Sequence, residues 1–175
     1  MNSGKPCVFY DRDGIVNVSP GPGYVERVED FHLIPAFIEA LRLTRARGYE
    51  AVIVTNQRGV GRGLMTQATL DDIHSSLETA LEREGLAMLD ILYCTADDDR
   101  DPRRKPNPGM LLEAAERHGL DLGRSWMIGD NEKDVLAGKG AGCRTVLVGA
   151  SNRPSAADHR VSDMAQLVEF LEKTL

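Results

Sequence analysis

The chain has 175 residues, 42% hydrophobic and 5% aromatic, with 21 basic against 27 acidic side chains and a net charge of −6. That length fits a single domain, residues 1–175, with a sizeable buried core, and the acidic balance weighs against a protein that grips nucleic acid by its phosphates. No run of about 18 apolar residues suggests a membrane span, Met1 to Pro6 holds no apolar leader, and three scattered cysteines, Cys7, Cys94 and Cys143, fit a reducing cytoplasm better than a disulfide framework.

Short apolar runs alternate with amphipathic stretches along the chain. Cys7-Val8-Phe9-Tyr10 reads as a buried strand, and Phe37, Ala40, Leu41 and Thr44 form one helix face. Ala51-Val52-Ile53-Val54 is a second strand, followed by a helical face of Leu70, Ile73, Leu77 and Leu81. Leu89 to Tyr93 is a third strand with Asp90 off-pattern. The helix after it carries Leu111, Ala114, Ala115 and His118, with Asn107 as N-cap, Pro108 at the first helical position and Gly119 as the stop. Trp126-Met127-Ile128 and Thr145 to Val148 are the fourth and fifth strands, and Met164, Leu167, Val168 and Leu171 mark a terminal helix. Continuous Val/Ile-rich strands separated by helices predict an α/β fold, a doubly wound parallel sheet covered on both faces, with no large cap domain. Two loops, Val18 to Glu26 and Asp97 to Arg104, are expected on the ligand face.

The chemistry-bearing residues follow the predicted strands. Asp11 and Asp13 come directly after the first strand, and residues two apart on an extended chain point to the same side. Ligand sites of open α/β sheets lie at such carboxyl ends. Two close carboxylates repel unless a cation or a proton separates them, and magnesium is usually held by one or two carboxylates plus a substrate phosphate. A turn is the plain alternative for Asp-Arg-Asp-Gly. Thr55 and Asn56 leave the second strand, where a hydroxyl and turn N–H groups can take phosphate oxygens. Arg104 and Lys105 precede the third helix, where a fixed cation beside a helix N-terminus suits phosphate. Asp130 leaves the fourth strand, with Asp134 one helical turn later to brace a metal shell. Each motif has a bland reading, as turn, loop start, basic turn or acidic cap. Their common placement at strand ends is what argues for a site.

Together these residues resemble the haloacid dehalogenase superfamily of phosphohydrolases over nearly the whole chain. Asp11-x-Asp13-Gly14, Thr55, Lys105 and Gly129-Asp130-x-x-x-Asp134 are similar to its four motifs in order. Tyr10 to Gly14, Gly23-Tyr24-Val25, Val54 to Gln57 with Gly59 and Arg62-Gly63, and Arg104 to Met110 resemble the subfamily of D-glycero-D-manno-heptose 1,7-bisphosphate 7-phosphatases and histidinol phosphatases. The resemblance implies a magnesium-dependent phosphomonoester hydrolase with Asp11 as nucleophile and Asp13 as acid and base. It implies magnesium held by Asp11, the Asp13 carbonyl and Asp130, phosphate by Thr55, Asn56 and Lys105, and the remaining substrate by Arg104, with Arg58 a weaker candidate. Many members carry a zinc loop with four Cys and His ligands. Here Cys94 stands alone, Asp97 to Arg103 has neither residue, and no zinc is expected.

The expected substrate is a small phosphorylated sugar, heptose bisphosphate first, or an amino alcohol, histidinol phosphate second, acted on by a monomer or weak homodimer without membrane or nucleic-acid partners. A 3′-phosphatase of nucleic acid is disfavoured by charge and by few aromatics for stacking. A phospho-accepting receiver domain is disfavoured by the second acid, Asp13, which would speed breakdown of an acyl phosphate. Gly59-Val60-Gly61-Arg62-Gly63 departs from the dinucleotide fingerprint at its third glycine. His32, His74, His118 and His159 show no ligand spacing and are expected on the surface or on helix faces.

Overall fold

The computed structural model describes residues 4–175. Strands β1 (Cys7–Tyr10), β2 (Glu50–Asn56), β3 (Asp90–Cys94), β4 (Trp126–Gly129), β5 (Arg144–Val148) and β6 (His159–Val161) alternate with helices α1 (Pro35–Ala46), α2 (Arg58–Gly61), α3 (Gln67–Arg83), α4 (Gly109–His118), α5 (Glu132–Ala141) and α6 (Met164–Thr174). The six strands form one parallel sheet in the order β3-β2-β1-β4-β5-β6. β1 lies between β2 and β4, so the chain winds one way from β1 to β3 and then crosses to the other side of β1. That reversal opens the crevice where ligands bind in such sheets.

All four residues of β1 are buried because the sheet is covered on both sides. Val8 and Tyr10 face a core with Phe37, Ala40 and Leu41 of α1, Leu77 and Leu81 of α3, and Leu167 and Leu171 of α6. Cys7 and Phe9 face the opposite core with Met110, Leu111 and Ala114 of α4 and Ala137 and Ala141 of α5. The period-2 alternation of a strand sorts neighbouring residues onto the two faces. Tyr10 is fixed in the first core by a 2.6 Å hydrogen bond with the Thr44 hydroxyl and an edge contact with Phe37 at 5.2 Å. A third, smaller core joins Val25 and Met65 to Leu70 and Ile73, tying the 18–31 segment to α3.

The predicted strands and helix faces are present, with three differences. β6 was not expected: its three residues include two exposed ones, as suits a short edge strand without an apolar run. The one-turn α2 is equally silent in the sequence. Helix α4 begins at Gly109 with Pro108 as the capping residue, one position later than expected. Asn107 is diverted because its amide donates to the carbonyls of Asp99 and Asp101 and so braces the preceding loop. Gly119, in the left-handed region, ends α4 as expected.

Candidate active site

The carboxyl ends of β1, β2 and β4 meet at a cavity of about 260 Å³. Asp11, Asp13, Thr55, Asn56, Lys105, Asp130 and Asp134 all line it, joined by Lys133, Tyr24 and the Ser19–Gly21 turn. Asp11 is placed by its own backbone N–H, which donates to the Ile128 carbonyl of β4 at 2.9 Å. The chain then turns tightly, with the Arg12 carbonyl accepting from the N–H groups of Ile15, Val16 and Asn17. Gly14 makes the turn possible in two ways. Its φ is +91°, and a Cβ there would sit 2.0 Å from Asp130 Oδ2. Only a residue without a side chain lets Asp130 approach Asp11.

Asp130 leaves β4 at a comparable point, and α5 begins at once. Asn131 and Asp134 form a reciprocal capping box at its start: Asn131 Oδ1 accepts from Lys133 N, and Asp134 Oδ2 accepts from Asn131 N. The cap turns Asp134 inward, where it is 2% exposed. One carboxylate oxygen each from Asp11, Asp130 and Asp134 lies within 4.8 Å of the others. An all-oxygen donor set of this charge fits a hard divalent cation.

Lys105 supplies a buried cation to the cavity lining. Its Nζ donates to Asp11 Oδ1 at 2.7 Å, Asp134 Oδ1 at 2.6 Å and the Val54 carbonyl at 2.8 Å. Burial opposes its charge, but Asp11 and Asp134 more than offset that and hold its pKa above the ordinary lysine value. Burial and then repulsion from Asp134 push Asp11 up to about 8, even against Lys105. Burial and Asp134 likewise push Asp130 up to about 6. Three carboxyls gather around one lysine, so a divalent cation here would relieve the repulsion that otherwise makes them keep protons.

The remaining expected residues are placed as follows. Thr55 Oγ1 accepts from Gln57 Nε2 at 2.8 Å, which leaves its own hydrogen to donate. The Asn56 side chain is engaged with the backbone of Lys105, donating to its carbonyl at 2.9 Å and accepting from its N–H at 3.0 Å. Asn56 therefore aims Lys105. Asp13 is turned toward Arg12 and Asn17, whose side chains all donate to Oδ1. Arg58 and Arg104 lie outside the cavity lining: Arg58 pairs with Asp97 at 2.8 Å and Asp99 at 3.1 Å, and Arg104 with Asp99 at 2.8 Å. Arg62 also binds Asp97 at 3.1 Å. The acidic run thus holds several arginines in a clasp of ion pairs. Cys94 is a buried free thiol at the end of β3.

Sequence reasoning missed Lys133, Arg12 and His74. Lys133 follows the cap of α5 and lines the cavity. Its neighbours in sequence gave no sign, because the Gly-Asp-x-x-x-Asp pattern leaves that position free. His74 is not on the surface. It is 7% exposed on the inner side of α3, with Nε2 3.2 Å from Arg12 Nη1.

The comparisons with known proteins give the family. Residues 102–169 match the hydrolase-like family model described as "HAD-hyrolase-like". The D-glycero-beta-D-manno-heptose-1,7-bisphosphate 7-phosphatase of Helicobacter pylori strain J99 is 35% identical over 98% of this chain and 98% of its own. The enzyme of that name from Pasteurella multocida is 32% identical over 96% of this chain and 99% of its own. Among solved structures, D,D-heptose 1,7-bisphosphate phosphatase from B. bronchiseptica, complexed with magnesium and phosphate, superposes with a TM-score of 0.85 at 31% identity, covering 97% of this chain and 99% of that one. By full-length similarity, fold and motif order, the chain belongs to the haloacid dehalogenase-like phosphatases, in the family of the heptose-1,7-bisphosphate 7-phosphatases.

Proposed function

We propose that this phosphatase removes the 7-phosphate of D-glycero-D-manno-heptose 1,7-bisphosphate in a magnesium-dependent reaction that passes through an aspartyl phosphate on Asp11. The observation that carries the mechanism is the buried contact between Asp11 and Lys105 at the mouth of a group of three carboxylates. The names of the full-length relatives support the substrate.

Asp11 keeps one carboxylate oxygen on Lys105, and its other oxygen is the nucleophile toward phosphorus. Thr55 donates its free hydroxyl hydrogen, and Lys105 its charge, to the equatorial phosphoryl oxygens, whose positioning and neutralisation are most of what phosphoryl transfer requires. Magnesium, held by Asp11, Asp130 and the Asp13 carbonyl with Asp134 beside them, supplies further neutralisation of the transferring group when bound. Asp13 gives a proton to the departing sugar oxygen and takes one from the water that hydrolyses the aspartyl phosphate. The Ser19–Gly21 turn, Tyr24 and Lys133 line the cavity and meet the sugar. Arg58 and Arg104, paired with Asp97 and Asp99 outside the cavity lining, are the cations offered to the second phosphate.

The test is a set of initial rates with magnesium on heptose bisphosphate, histidinol phosphate and a 3′-phosphorylated oligonucleotide. The heptose ester is expected to give the largest kcat/KM. A larger value for either of the others would reassign the substrate, and full activity of Asp11→Asn would remove the nucleophile.

A further inference from the structure

Arg12 stands between the two motif acids, yet its side chain is wholly buried beneath them, 0% exposed. A guanidinium cannot shed its charge in a protein and can only donate hydrogen bonds, so each buried N–H needs an acceptor. Nε and Nη2 both reach Asp13 Oδ1, at 3.2 and 2.9 Å. Asn17 Nδ2 adds a third donor to that same oxygen at 2.9 Å. Nη1 reaches His74 Nε2 at 3.2 Å, and the guanidinium carbon lies 5.6 Å from the centre of the Phe31 ring. Because arginine only donates, Nε2 must carry the lone pair and the ring must be neutral. Burial, and then the charge of Arg12, hold His74 down at about 4, which keeps it so. The ring is fixed from behind by Tyr93, with centroids 5.7 Å apart.

Three donors occupy Oδ1 of Asp13, while Asp13 itself lines the cavity. Oδ2 is therefore the oxygen left for proton transfer. We propose that Arg12 and His74 are positioning residues that lock the Asp13 carboxyl with Oδ2 presented to the leaving oxygen, His74 acting from helix α3 without touching substrate. The inference rests on the reading of Asp13 as the acid and base. In the first step the Asp11–phosphorus bond forms, the bond from phosphorus to the sugar oxygen breaks, and the Oδ2 proton moves to that oxygen. In the second, water attacks phosphorus, its proton returns to Oδ2, and the Asp11–phosphorus bond breaks. Only the first step depends on how basic the leaving oxygen is.

That dependence provides the test. An alkoxide needs the proton, whereas p-nitrophenolate leaves without one, and kcat/KM reports on the step that expels it. His74→Leu and Arg12→Lys are expected to lower kcat/KM for heptose bisphosphate by roughly ten- to a hundredfold, part of what a positioned acid contributes. They should leave p-nitrophenyl phosphate near the wild-type value. His74→Gln, which keeps an acceptor oxygen, should recover most of the loss. Asp13→Asn serves as the reference and should show the same selectivity more strongly. If Asp13→Asn is selective while the His74 and Arg12 variants lower both esters equally or neither, the positioning role is overturned and the acid assignment stands. If Asp13→Asn is itself unselective, the acid assignment falls and takes the inference with it. Should Arg12→Lys fail to fold, the two His74 variants decide the matter alone.

Discussion

Lys105 Nζ donates to Asp134 Oδ1 at 2.6 Å, joining the loop before α4 to the first turn of α5. Both side chains are 3% exposed. Lys105→Met removes the cation and leaves Asp11 and Asp134 facing each other. Breaking such a buried pair costs on the order of 3–5 kcal/mol, less whatever protonation of Asp11 recovers. A drop of a few kcal/mol in urea titrations is expected, together with a loss of about 10²–10³ in kcat/KM. An unchanged midpoint with full activity would contradict the role given to Lys105.

Removal of the divalent cation should matter most at high pH. Asp11 is pushed up to about 8 and Asp130 to about 6. A carboxyl whose folded pKa is raised holds its proton more tightly in the fold, so the metal-free protein loses stability as pH climbs from about 4 toward about 8. Cations bind the ionised form and release protons. The gain in Tm on adding magnesium is therefore expected to be larger near pH 8 than near pH 5. Turnover should vanish with a chelator and return with magnesium. A gain in Tm that shrinks as pH rises would be inconsistent with these carboxylates as ligands.

His74 gives the opposite sign at lower pH. Its folded pKa is depressed to about 4 from an ordinary 6.5. The unfolded chain takes up a proton that the fold refuses, so stability present above about pH 6.5 is lost as pH falls toward about 4, up to roughly 3 kcal/mol. His74→Gln has no such proton to take up. The stability difference between wild type and variant should drift by that amount across the window, as followed by denaturant unfolding. A constant difference would mean that His74 titrates normally.

Gly14→Ala meets both a positive φ and a collision with Asp130 Oδ2. The strain should cost about 1–3 kcal/mol. Displacing Asp130 from its place beside Asp11 should lower kcat/KM on the order of a hundredfold. Wild-type activity in the alanine variant would show that Asp130 tolerates the shift.

Much of this site was legible because each element carries its own local signal. Asp11, Thr55 and Asp130 directly follow apolar runs, and the parallel sheet implied by those runs brings their ends together. The switch of winding direction at β1 was not written in any single segment, since it depends on which strand pairs with which. Arg12 was the residue between two acids in a motif, with nothing to say that it turns inward. Its partner His74 is 62 residues away, on a helix whose apolar spacing tolerates one buried polar ring. The ion pairs that join Arg58 and Arg104 to Asp97 and Asp99 are likewise matters of geometry. The sequence reading offered those arginines to the substrate, and nothing in the spacing showed that the nearby acids hold them.

The central seat of β1 has a consequence for how the molecule comes together. Asp11 meets Lys105 across 94 residues of chain, and its backbone N–H rests on β4, drawn from still later sequence. Pairings of such long separation close late, because loop entropy must be overcome before they contribute. An emerging polypeptide can pair β1 with β2 while Asp11 still lacks Lys105, Asp130 and Asp134 around it. The surroundings of Asp11 are thus complete only once β4 and α5, from the far half of the chain, have joined the sheet.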